Sequence, residues 1–222
     1  MRPTLFHQAD LVLRGGFARD ELSWRSRLAV VVVFGTFYGA VMGAYGGLDA
    51  DRPWQMLYSG LKVPLLLTSA FLLSLPTFFV LNTLLGLRAD FPRVARALVS
   101  TQAGLTVVLA SLAPITAFAY ISGISYQPAI LFNALMFGTA SVSAQSLLRR
   151  EYRELIIRDP AHRVMLRAWL VVYVFVGVQM GWVLRPFIGD PGRPVQFFRE
   201  DSWSNAYIAV LNIAWRAVAG GR

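Results

Sequence analysis

Five apolar stretches, each about 20 residues long and nearly free of charge, limit what this chain can fold into. A run of that length matches the hydrocarbon thickness of a bilayer, and a helix can bond its whole backbone to itself there. The stretches cover residues 28–47, 63–87, 98–120, 128–148 and 168–184. The expected fold is therefore all-α: a polytopic transmembrane helix bundle of five spans. Residues 1–27 precede it as a cytoplasmic segment, and 185–222 follow as an outer tail. Charged residues make up only 15% of the chain and hydrophobic ones 56%, whereas a soluble domain carries roughly 25% charged residues.

The first 27 residues carry Arg2, Arg14, Arg19, Arg25 and Arg27, and the apolar stretch behind them is too long for a signal-peptide core. It is expected to remain as a signal anchor. Leu5, Phe6, Leu11, Val12 and Leu13 read as a short surface helix, broken at Gly15-Gly16. Arginines recur at 88, 93 and 96, and again at 149, 150, 153, 158, 163 and 167. The alternate loops hold only Arg52 and Lys62, then none. Positive residues in short loops mark the cytoplasmic side, so the N-terminus is expected inside. The tail, with Arg185, Arg193, Arg199, Arg216 and Arg222, runs against that pattern.

Within the spans, glycines have a spacing that carries meaning. Gly35, Gly39 and Gly43 lie four apart on one face of span one, and Gly177 and Gly181 repeat the spacing in span five. Such faces let backbones approach, so van der Waals contact drives helix association in lipid. The two faces are expected to pack against each other within the chain, with dimerisation as the alternative. Pro64 falls in the expected first turn of span two, and Pro76 near its middle predicts a kink. Spans three and four are rich in small and weakly polar residues, which suits contact with protein.

Beyond span five, Gly189, Asp190, Pro191 and Gly192 read as a turn. Ser202 would cap an amphipathic helix from Trp203 to Ala219, striped by Asn205, Ala209, Asn212 and Arg216. A sixth span is the alternative. Trp182, Arg185, Phe187, Phe197, Phe198 and Trp203 make the outer segment aromatic and basic, a contact surface for a lipid phosphate or a partner carboxylate. The 197–203 segment is expected to dock back on Trp182 and Arg185. A snorkelling arginine beside an aromatic anchor is the plainer reading.

Few residues suit catalysis. Taken at those boundaries, no span contains Asp, Glu, Lys or His, the usual marks of proton relays and ion coupling. Cysteine is absent. His7 and His162 have no ligand partner at helical spacing, so no metal or other cofactor is expected. Glu151, Glu154, Asp159 and His162 form the single acidic-plus-histidine cluster, read as an amphipathic helix with local pairing to Arg150 or Arg158. Phosphate-binding glycine motifs are missing. The net charge of +9 is assigned to lipid headgroups rather than nucleic acid, because no basic stretch interleaves with stacking aromatics.

The layout resembles the Yip1-type family of small membrane proteins, though its Asp-Leu-x-Gly-Pro motif is absent. The segment Trp182-Val-Leu-Arg185-Pro-Phe-Ile-Gly189 resembles a motif of uncharacterised bacterial membrane proteins. Arginine use over lysine fits a GC-rich bacterium, which implies a bacterial inner (cytoplasmic) membrane. Neither resemblance implies an active site. The expected function is that of a non-enzymatic scaffold or accessory subunit, in contact with membrane lipids and other membrane subunits. The alternative is a permease-type subunit for an apolar or lipid-like substrate, with Asn82, Gln102, Asn133 and Gln179 along its path.

Overall fold

The computed structural model describes residues 4–14, 23–47, 52–199 and 205–208. Its elements are α1 (Leu5–Leu13), α2 (Trp24–Gly43), α3 (Arg52–Leu84), a 3-10 turn at Arg88–Asp90, α4 (Phe91–Ile121), α5 (Tyr126–Arg158) and α6 (Ala161–Val183). Helices α2 to α6 are each long and apolar enough to cross a bilayer. The protein is an all-helical, multi-pass membrane protein.

The hairpin turns follow from local chemistry. At the end of α3, Leu87 N–H bonds to Asn82 O at 2.8 Å and Gly86 N–H to Thr83 O at 3.1 Å. Gly86 has φ +74, a left-handed backbone that costs glycine nothing and reverses the chain while satisfying the last carbonyls. Gly123, at φ +79, does the same after α4. Residues 122–125 and 159–160 are short connections, so α4, α5 and α6 run antiparallel in turn. The end where α2, α4 and α6 begin is called proximal below, and the end where they finish distal.

Helix α2 packs on α3 and α4, α4 on α5, and α3 on α6. The order around the bundle is thus α6–α3–α2–α4–α5. Of the apolar window in α2, 44% is buried against 11% for α6, so α2 is central and α6 peripheral. One core cluster joins α1, α2, α4 and α5 through residues such as Val12, Tyr38, Leu109 and Met136. The other joins α3 to α6 around Phe78, Leu98, Tyr152 and Trp169. Trp169 meets Phe78 edge-on at 4.9 Å and stacks on Tyr173 at 5.4 Å, pinning the proximal half of α6.

Several boundaries differ from the sequence expectation. The first span is shifted towards its N-terminus, and Ala44–Gly46 form a turn. Helix α3 begins at Arg52, so Pro64 lies well inside it rather than in its first turn. Helix α5 continues through the arginine-rich segment to Arg158. Polar residues do not end a helix whose backbone is already bonded; they only move it out of the hydrocarbon.

The glycine faces also behave differently from each other. Those of α2 meet α3, not α6. A Cβ on Gly39 would overlap Ser59 O and lie 2.9 Å from Gly60 Cα. One on Gly43 would lie 2.6 Å from Gln55 O. Gly35 is looser, with Thr106 and Pro64 at ordinary contact. Gly177 and Gly181 have nothing within 4 Å among the described residues. Helix α5, expected to face protein, has only 22% of its apolar window buried. Its hydroxyls explain why this is tolerable: Thr139, Ser143 and Ser146 each donate to the carbonyl four residues back, at 2.9, 2.9 and 3.1 Å.

Trp203 and the helix expected over 203–219 lie outside the described residues, apart from 205–208. Those four sit against α6. Ala206 N–H donates to Gln179 Oε1 at 3.0 Å, and Tyr207 stacks on Phe175 at 4.5 Å.

Candidate functional site

The distal end carries the bundle's most unusual construction. After α6 the chain runs as an irregular strap, 185–199, across the first turns of α3. A strap has no ladder partner for its carbonyls, so side chains must supply the donors. Arg52, Gln55, Ser59 and Lys62 do so, at i, i+3, i+7 and i+10 on one face of α3. Lys62 Nζ donates to Pro186 O at 2.7 Å. Ser59 Oγ donates to Phe187 O, which also accepts from Gln55 Nε2 at 3.3 Å. Arg52 donates to Asp190 O at 3.3 Å and Pro191 O at 2.7 Å. The Arg185–Pro186 peptide is cis. A Cβ on Gly189 would come within 2.8 Å of Gln55 Cγ, so the strap lies directly on the helix.

Lys62 is the chain's only lysine and is fully buried, inside a spanning helix. This corrects the expectation that the spans lack ionisable groups. Beginning the span at Val63 placed Lys62 in a loop. The four-residue polar stripe on α3 was the signal that could have revealed it. Phe197 covers the ammonium at 4.9 Å and meets Tyr58 at 5.3 Å. Phe197 therefore docks onto α3, while residues 200–203 of the segment expected to return to Trp182 and Arg185 lie outside the described residues. Arg185 instead stacks on Trp182, 3.4 Å from the ring centroid. Phe198 lies edge-on to Phe197 and is largely exposed.

A cleft of about 600 Å³ opens beside the strap, between the distal halves of α5 and α6. Met42, Leu66, Ile130, Phe137, Trp182 and Phe187 give it apolar walls. Asn133 is its buried polar feature. It accepts from Tyr38 OH at 3.2 Å and donates to Tyr120 OH at 2.7 Å and Ala129 O at 2.8 Å. Tyr120 OH in turn donates to Met42 O at 3.3 Å. The network ties α2, α4 and α5 together where the cleft reaches deepest. Replacing Asn133 by Leu is expected to cost about 1–2 kcal/mol, since Tyr38 loses a buried acceptor. Thermal unfolding in detergent measures this, and an unchanged midpoint would show that the network adds nothing to stability.

A smaller cavity of about 260 Å³ lies between the proximal halves of the same two helices, lined by Gln102, Ser141, Gln145, Arg149, Trp169 and Tyr173. The four amides do not share a path. Asn133 borders the distal cleft and Gln102 the proximal cavity, while Asn82 and Gln179 line neither. Asn82 donates to Phe78 O of its own helix at 3.0 Å.

The acidic-plus-histidine cluster is dispersed. Glu154 pairs across helices with Arg93 at 2.5 Å, not with a local arginine. Asp159 caps α6 by accepting from Ala161 N–H at 2.8 Å. His162 is fully buried, with Nε2 3.1 Å from Asp90 Oδ2. These contacts fasten together the proximal ends of α4, α5 and α6. Among the described residues, no group of three His, Cys, Asp or Glu side chains is placed to hold a metal ion.

No protein-family profile, curated protein or solved structure matches this chain.

Proposed function

We propose that the chain is a non-enzymatic membrane subunit that holds a lipid-like molecule between α5 and α6, as a permease-type component does. One observation carries this reading. The two helices meet near their proximal ends, through Tyr152, Leu155, His162 and Met165, and toward the distal end an apolar cleft of about 600 Å³ lies between them. Clefts of that size with apolar walls and a few polar groups suit amphiphilic ligands. Arg185, Arg193 and Arg199 on its wall match the polar end of such a molecule. The arginines of the proximal loops support a cytoplasmic placement of that end, and the use of arginine over lysine a bacterial inner membrane. A photoactivatable phospholipid tests the reading. Adducts concentrated on Ile130, Ala134 and Phe137 are expected. Adducts spread evenly over bilayer-facing positions such as Val171 would overturn it.

The accessory-subunit reading is favoured by a separate feature: among the described residues, no atom lies within 4 Å of a Cβ at Gly177 or Gly181 on the least buried helix. A partner helix would find a close approach there.

A further inference from the structure

We propose that a second pocket, behind the strap, is the headgroup subsite of this cleft, and that the ligand is a lipid bearing an anionic phosphate. The inference rests on the cleft reading above and names its substrate class. The second pocket measures about 400 Å³ and is lined by Arg52, Gln55, Gly189, Asp190, Arg193 and Arg199, among others. Pro186, Asp190, Arg193 and Arg199 line both spaces, so a single strap forms the boundary between an apolar compartment and a polar one. That pairing is the shape of an amphiphile: tails in one space, head in the other.

The charge of the head follows from the walls. Together they carry four arginines, at 52, 185, 193 and 199, against one described carboxylate, Asp190. Asp190 is already engaged with Arg193 at 3.5 Å. Arg52 is held in place by two neutral carbonyls of the strap, which fix its guanidinium without cancelling its charge. Guanidinium forks bind phosphate oxygens in pairs, and more strongly than they bind neutral acceptors. The pocket also lies at the distal end of the spans.

The full chain in neutral detergent, titrated with short-chain lipids, tests the proposal. The probes are dioctanoyl phosphatidic acid, dioctanoyl phosphatidylcholine, dioctanoylglycerol and glycerol 3-phosphate, with binding read from the shift in unfolding midpoint. Phosphatidic acid is expected to bind about tenfold more tightly than dioctanoylglycerol, with the advantage shrinking as salt rises. The double variant Arg193→Gln, Arg199→Gln removes two strap arginines. It is expected to abolish that advantage, and Arg193→Lys, Arg199→Lys to restore part of it. Equal binding of phosphatidic acid and dioctanoylglycerol, in the parent, would overturn the headgroup subsite and leave the cleft reading standing. Glycerol 3-phosphate binding as tightly as phosphatidic acid would make the pocket a site for soluble phosphate esters and overturn the lipid assignment. Binding of none of the four would remove the cleft reading together with this one. Phosphatidylcholine below phosphatidic acid supports net negative charge as the selected property, and phosphatidylcholine at or above it overturns that selection.

Discussion

Replacing Gly39 by alanine is expected to destabilise the bundle by about 2–3 kcal/mol, although alanine is the better helix former by about 1 kcal/mol. The added methyl would overlap the Ser59 carbonyl and press on Gly60 Cα, both backbone atoms that cannot rotate away. Helices α2 and α3 would have to separate, opening the contact that places the polar stripe of α3 under the strap. Gly43→Ala is expected to act in the same direction, against Gln55 O and Met56 Cα. Gly177→Ala and Gly181→Ala should show the opposite sign, unchanged or slightly more stable, because no described atom approaches within 4 Å. Thermal midpoints of the four variants in one detergent provide the comparison. A Gly39→Ala protein as stable as the parent would refute the close approach of α2 and α3. Gly177→Leu distinguishes the accessory-subunit reading: a smaller assembly in mild detergent, with the midpoint unchanged, would locate a partner on α6.

Lys62→Met is expected to release the strap. Methionine keeps the aliphatic stem against Phe197 but removes the 2.7 Å donor to Pro186 O, leaving that carbonyl only the long 3.5 Å bond from Gln55 Nε2, at a cost of about 2 kcal/mol. Part of the loss is offset, because a buried ammonium is itself costly to desolvate. The remaining bonds from Arg52, Gln55 and Ser59 are too few to hold the segment as firmly. Chymotrypsin cleavage at Phe197 and Phe198 should then accelerate roughly tenfold, the factor that corresponds to about 1.4 kcal/mol. Equal cleavage rates in variant and parent would show that Lys62 does not hold the strap.

Much of the architecture was legible because the bilayer imposes a crude, one-dimensional rule. Length and hydropathy alone identify five spans, and the short turns after Gly86 and Gly123 force their alternation. The distal site was less legible. Trp182, Arg185, Phe187, Phe197 and Phe198 stand out by composition, yet the partners of Phe187 and Phe197 lie on α3, more than a hundred residues earlier, as with Lys62 and Pro186. Lys62 itself was hidden by the same hydropathy rule that revealed the spans, since a charged residue near a span's edge reads as the end of it. The glycines of α2 and α6 look identical in sequence. Gly39 and Gly43 are crowded by backbone, while Gly177 and Gly181 have no described atom within 4 Å.

By itself, then, the sequence determined that the chain spans a membrane as helices and that five of its stretches are long and apolar enough to do so. Each of these depends on local properties: a helix satisfies its own backbone, and hydrocarbon tolerates nothing less. Only the tertiary structure decided which helices are neighbours, which glycine face is filled and which carbonyls the α3 stripe satisfies. In lipid no hydrophobic force selects among helix pairs, so packing and a few polar contacts make that choice, and these are set by atoms distant in the chain.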